Sequence, residues 1–174
     1  PKRDWSSDVC SSDLVGEEII QSFNEKYEKK FHEMMKRKLG FITDEPEDGV
    51  LVKELLDIME KNKLDYTNTF RDLMNENISN ENLKDFYTKW TIRIDKQNRD
   101  KQEILNLMRK NNPVVIPRNH KVEESLKEAH KGNLLSLNNL LNALKDPYTE
   151  RGDLMLYQQP APDNEKKYKT FCGT

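Results

Sequence analysis

The sequence predicts an all-α protein, and three observations predict it. Apolar residues recur at steps of three and four along most of the chain from Val15 to Leu144. The one sustained β-branched run, Val114 to Ile116, is shut between Pro113 and Pro117, which leaves no room for an ordinary strand. Charged residues make up 34% of the 174 and nearly cancel, with 29 Lys and Arg against 31 Asp and Glu. Interleaved charges of both signs between apolar steps are the mark of solvated helix faces.

The first predicted helix starts at Val15 and carries Ile20, Phe23, Tyr27, Phe31, Met34, Met35 and Leu39 before Gly40 closes it. After the acidic turn TDEPEDG comes a second stripe, Leu51, Val52, Leu55, Leu56, Ile58 and Met59, with Glu47 and Asp48 near its positive N-terminal end. DYTNTFRDLM places Tyr66, Phe70 and Leu73 on one face, and NENLKDFYTKWTIRI places Leu83, Phe86, Tyr87, Trp90 and Ile94 likewise. RDKQEILNLMRK adds Ile104, Leu105 and Met108, and ends before NNPVVIPRNH, where two prolines allow only a short extended piece. Asn119 is the expected cap of HKVEESLKEAH, with Val122, Leu126 and Ala129 facing the core and Gly132 as its stop. The last helix, NLLSLNNLLNALK, is expected to bury Leu134, Leu137, Leu141 and Leu144 and to end at Asp146-Pro147. Residues 147–174 hold Pro, Gly and charge without a period, so an irregular tail lying over the helices is expected.

Composition excludes several function classes. No run reaches the ~18 apolar residues of a membrane span, and the near-neutral charge is unlike a nucleic-acid binder. The expected setting is therefore intracellular, with neither membrane nor nucleic acid as partner. The apolar share of 34% is low for a globular domain, and most stripes are narrow, so apolar faces should remain uncovered unless something outside the chain covers them. The six glycines stand at 16, 40, 49, 132, 152 and 173, too far apart for a dinucleotide-binding or Walker loop. His32, His120 and His130 form no metal-ligand motif and read as solvated side chains. In KYEKKFHEMMKRK, Phe31, Met34 and Met35 belong to the helix's own stripe, and Glu28 and Glu33, with Glu25 just before the run, dilute the charge, so a solvated face outweighs a nucleic-acid surface. Cys172 stands apart, because Lys166, Lys167 and Lys169 would favour its thiolate if the tail held them close; an inert terminal thiol is the plainer reading of composition alone.

Five runs carry more than composition does. MMKRKLGF, LVKELLDIMEKNKLDYTNTFRDL, NPVVIPRNHKVEESLKEAHKGN, LLNALKDPY and YKTFCGT, in this order and spacing, resemble the C-terminal part of the selenoprotein O family, also called SelO or YdiU. The resemblance covers Val15 to Thr174 and looks bacterial, with Cys172 where animal relatives carry selenocysteine. It implies a protein-kinase-like (pseudokinase) fold, of which residues 15–146 would be the helical C-terminal lobe region and 147–174 the tail. It also implies a cytoplasmic protein adenylyltransferase that moves AMP from ATP, with Mg or Mn, to Ser, Thr or Tyr hydroxyls of protein substrates; some members are reported to use UTP. The nucleotide-binding and catalytic groups of the family lie upstream of the matched region, so no catalytic, cofactor-binding or metal residue carries over, and ATP and metal are not expected to bind this chain alone. Its implied partner is the missing N-terminal kinase-like region. Asp65, Tyr66, Phe70, Arg71, Arg118 and Asn119 are expected as structural anchors, and Cys172 as a redox-responsive thiol whose disulfide mate lies outside the chain. The rival expectation is a free-standing helical interaction module without enzymatic activity.

Residues 1–14 carry none of these runs and are expected to lie outside that family. Back-translated, DWSSDVCSSDL resembles a common sequencing-library adaptor read in one frame, so this stretch, Cys10 included, is expected to be non-native and disordered.

Overall fold

The computed structural model describes residues 11–162, and every regular element among them is helical. The long helix α1 (Ser11–Lys38) runs into the bundle and stops at Gly40, whose φ of +77° lets Phe41 N–H reach Lys36 O at 2.8 Å and Gly40 N–H reach Arg37 O at 3.2 Å. α2 (Asp48–Asn62) ends the same way without a glycine, on Lys63 at φ +51°. α3 (Tyr66–Met74) starts on the Asp65 cap, and a 3-10 turn at Glu81–Leu83 leads into α4 (Lys84–Lys96). α5 (Lys101–Asn111) is capped by Asp100, whose carboxylate accepts from Gln102 N–H. Past the prolines, α6 (Asn119–His130) and α7 (Leu135–Leu144) form a hairpin, and the described chain closes with a 3-10 turn at Gly152–Leu154 and the single turn α8 (Met155–Gln158).

Two cores result. The larger gathers Met35 and Leu39 of α1, Leu55 and Met59 of α2, Phe70 and Leu73 of α3, Phe86 and Trp90 of α4, and Ile104 and Met108 of α5. The smaller joins Val114 and Val115 to Ala143 and Leu154. The short extended piece between the prolines is held here because Val114 and Val115 N–H both donate to Pro147 O, at 2.7 and 3.4 Å. No helix among the described residues is long and apolar enough to cross a membrane.

The structure departs from the sequence expectations at five places. Helix α1 begins at Ser11, so Ser11–Leu14 are helical rather than outside the fold; extending an existing helix backwards costs far less than nucleating one. The expectation of disorder for residues 1–10 lies outside the described residues. Ile20, Phe23 and Tyr27 are exposed although they continue the stripe that is buried at Met35 and Leu39. Arg118, not Asn119, takes the cap position of α6: its own backbone is extended, at φ −68° and ψ 130°, and Asn119 is already the first helical residue. In the hairpin, Ser125 is the buried residue of α6 and Leu126 is exposed, while α7 buries Leu140 and Ala143 and exposes Leu134 and Leu141. Small side chains let the two helices approach, with Ser125 Oγ 3.1 Å from Ser136 Oγ, and a run with leucine at so many positions suits several rotations about its axis. The tail is not wholly irregular: Leu154 is fully buried on a short helical turn. Residues 163–174, Cys172 among them, lie outside the described residues.

Candidate functional site

The anchors expected from the sequence meet at one junction. Asp65 caps α3 by accepting from Asn68 N–H at 2.8 Å, which leaves its two carboxylate oxygens facing the start of α6. Arg118 answers with both ends of its fork, Nη1 to Oδ2 at 2.6 Å and Nη2 to Oδ1 at 3.0 Å, and its Nη2 also donates to Gln158 O at 2.9 Å. Asn68 Nδ2 donates to the same carbonyl at 3.1 Å. The caps of α3 and α6, Asp65 and Arg118, thus bind each other, and Arg118 and Asn68 together hold the end of α8. The bidentate arrangement is the strong form of a carboxylate pair.

Six residues on from Asp65 along α3, Arg71 Nη2 sits 3.1 and 3.2 Å from the two oxygens of Glu150, which also accepts from Gln158 Nε2 at 3.1 Å. The network therefore runs from Asp65 through Arg118 and Gln158 to Glu150 and Arg71. Burial pushes the Asp65 carboxyl up, yet the Arg118 and Asn68 hydrogen bonds outweigh it and hold the group below the usual aspartate range. Asp72, next to Arg71 but without such donors, is pushed up, first by burial and then by Asp65, against the pull of Arg71.

Tyr66 and Phe70 border this junction on the α1 side, their rings 5.0 Å apart. Phe70 is fully buried, and the Tyr66 hydroxyl lies 3.4 Å from Met35 Sδ. Lys38 Nζ stands over both rings at 5.5 and 5.0 Å and donates to Asn111 O at 3.0 Å; burial holds its pKa below the usual lysine range.

A second polar junction was not signalled as a site by the sequence. Arg93 of α4 binds Asp48 through Nε at 2.6 Å and Nη2 at 3.1 Å, donates to Thr43 O at 2.7 Å, and lies 4.6 Å from the Phe41 ring centre. Its signal was position: Arg93 falls three residues after Trp90 and seven after Phe86, on the apolar face. Elsewhere on α4, a cleft of about 270 Å³ between α4 and α5 is lined by the buried Trp90, Ile104 and Met108 and by the exposed Lys101–Glu76 pair.

Chemically, these groups are engaged with one another. Asp65, Asp48, Glu150 and Glu76 are each paired with a cation. Among the described residues no three His, Cys, Asp or Glu side chains gather as a metal would require. His32 lies edge-on to Phe31, and His130 Nδ1 is 2.8 Å from Leu126 O, so the two stand on separate helices in local contacts.

Comparison with known proteins places these features in a family. The family model described as "Protein adenylyltransferase SelO" matches residues 9–145, starting inside the opening stretch that the sequence alone set aside. The chain is 40% identical over 166 residues to a protein named protein nucleotidyltransferase YdiU from Clostridium perfringens, covering 92% of this chain and 34% of that protein. Proteins of the same name from Pelagibacter ubique and Bacillus cereus are 43% identical over 164 residues and 40% over 167, covering 90% and 92% of this chain and 34% of each relative. The chain spans about a third of the length of the curated relatives it matches.

Proposed function

The chain belongs to the SelO family, and from that membership we propose that it is the helical C-terminal portion of a protein nucleotidyltransferase that moves AMP from ATP onto Ser, Thr or Tyr hydroxyls of other proteins. The observation that carries this reading is the family match over residues 9–145, joined to relatives named for nucleotide transfer at 40% identity or near it.

In this reading the chain supports a catalytic region without reacting itself. Transfer of AMP requires cations around a triphosphate and an acceptor hydroxyl in line with the α-phosphorus. That reading is supported by Arg71, Arg93 and Arg118 being committed to carboxylates, and by the lack, among the described residues, of three or more His, Cys, Asp or Glu side chains gathered as for a metal. ATP and its Mg or Mn would therefore be bound by the kinase-like region of the full-length protein, acting in the bacterial cytoplasm. Cys172 would supply redox control from the tail.

Two measurements test the reading. Calorimetric titration of this chain with ATP and magnesium is expected to give no binding heat, and a clear magnesium-dependent isotherm would overturn the supporting role. A fusion of this chain to the unmatched portion of the Clostridium perfringens relative is expected to transfer label from the α-phosphate of ATP to protein. Label arriving only from the γ-phosphate would make it a kinase instead.

A further inference from the structure

Among the described side chains of α1, those ahead of Phe31 are mostly exposed. Every residue from Phe23 to Lys30 is exposed, and Ile19, Ile20, Phe23 and Tyr27 are 62, 69, 63 and 59% exposed. Such a segment is marginal in water, since short helices owe their stability to an apolar face packed on something. Its apolar side is nevertheless well ordered as a stripe: Phe23 stacks near Tyr27 at 6.3 Å between ring centres, and Tyr27 near Phe31 at 6.2 Å. Phe31 packs on the larger core that Met35 and Leu39 enter. The stripe is one surface, buried at its C-terminal end and bare at its N-terminal end.

We infer that the bare half, Ile20 to Tyr27, is the seat on which the kinase-like region of the full-length protein packs, extending the larger core beyond this chain. The inference rests on the reading of the chain as the C-terminal third of a nucleotidyltransferase. Two facts select this occupant. The matched relatives carry about twice as much chain again outside the matched third, and that mass needs a surface to rest on. The α1 stripe is continuous with the main core, whereas the exposed Leu134, Leu135 and Leu141 sit on the hairpin against the smaller one. Runs of exposed apolar side chains on one face are a feature of interaction surfaces.

Hydrogen exchange compares the free chain with its fusion to the unmatched portion of the Clostridium perfringens relative. Amides of residues 20–30 are expected to exchange at least about tenfold more slowly in the fusion. Phe23→Asp and Tyr27→Asp should each remove that slowing, while Ile92→Asp, at an isolated exposed position on α4, should not. Equal exchange in the two proteins overturns the inference, as does slowing that survives both substitutions. Slowing in the free chain that grows with its concentration gives the face to a second copy and also overturns it. If slowing occurs and depends on Phe23 but the fusion transfers no nucleotide, the seat stands and the nucleotidyltransferase reading falls. Transfer without slowing has the reverse meaning.

Discussion

Arg93 and Asp48 stand 45 positions apart and meet as a doubly hydrogen-bonded pair in which each side chain is only 5% exposed. The pair is one of three fastenings that α4 and its C-cap residue place on the stretch from the end of α1 to the start of α2. Trp90 Nε1 donates to Leu39 O at 2.9 Å, and Gln97 donates to Gly40 O at 3.1 Å and accepts from Ile42 N–H at 2.6 Å. Residues 90, 93 and 97 share one helix face, so a single rigid element satisfies the buried backbone of the turn.

Removing Asp48 strands Arg93 in the interior. Asp48→Ala is expected to lower the unfolding free energy by roughly 3–5 kcal/mol, the usual cost of leaving a buried charge without its partner. A double variant that replaces both residues with apolar side chains of similar size should recover part of the loss. Chemical denaturation of the two single variants and the double variant gives the coupling. Additive losses would mean that the pair is not energetically joined.

Gly40 and Gly132 share a positive φ, +77° and +85°, but not their surroundings. A Cβ on Gly40 would come within 2.7 Å of Ile104 Cγ2 and 3.0 Å of Met108 Cγ, whereas one on Gly132 meets nothing within 4 Å. Gly132→Ala should therefore cost only the left-handed strain, about 1–2 kcal/mol. Gly40→Ala should add overpacking of about 1–3 kcal/mol to a similar strain. Equal midpoint shifts in urea would show that α5 yields freely at Gly40.

The carboxyls of Asp65 and Asp72 should respond to pH with opposite sign. Asp65 is held below its ordinary range in the folded protein, so its stabilisation is present above the unfolded-state pKa and lost as pH falls through the folded value. Asp72 is held above its range, chiefly by burial, so its contribution is favourable in acid and declines as pH rises through the folded value. Asp65→Asn is expected to be less stable than the parent at neutral pH, with the gap closing in acid. Asp72→Asn is expected to match or exceed the parent at neutral pH. Denaturation midpoints across the acid range check both, and a deficit for Asp72→Asn would oppose the sign.

Helix existence was legible because the apolar steps are regular, but which face of each helix is buried was legible only where large and polar residues alternate. Phe86 and Trp90 are unambiguous on α4, whereas the leucine-rich α7 offers several nearly equal rotations, and the structure takes the one with Ala143 inward. The Asp65 junction was half legible: both motif runs stood out, yet nothing in their spacing says that residues 53 positions apart touch. Arg93 was hidden by its chemistry, since a cation on an apolar face reads as a boundary of the stripe until Asp48 is found opposite it. The bare end of α1 was foreshadowed only in general, as stripes too many for the core available.

Arg118 also fixes the last described turn, because its Nη2 and Asn68 Nδ2 both hold Gln158 O. That carbonyl ends α8, from which the chain continues toward Cys172. Arg118→Ala removes the fork from Asp65 and one of the two donors to Gln158, at an expected cost of about 1–3 kcal/mol for the polar groups left unpaired. The effect should be local as well as global. Leu154 is buried on the smaller core through the turn that α8 continues, so loosening α8 exposes it first. Amides of residues 152–158 should exchange faster in Arg118→Ala while those of α4 keep their protection. Arg118→Lys should recover little, since a single ammonium cannot span both oxygens of Asp65 and the Gln158 carbonyl at once. Unchanged exchange at residues 152–158 would mean that the smaller core alone, through Leu154 and Val115, keeps α8 in place.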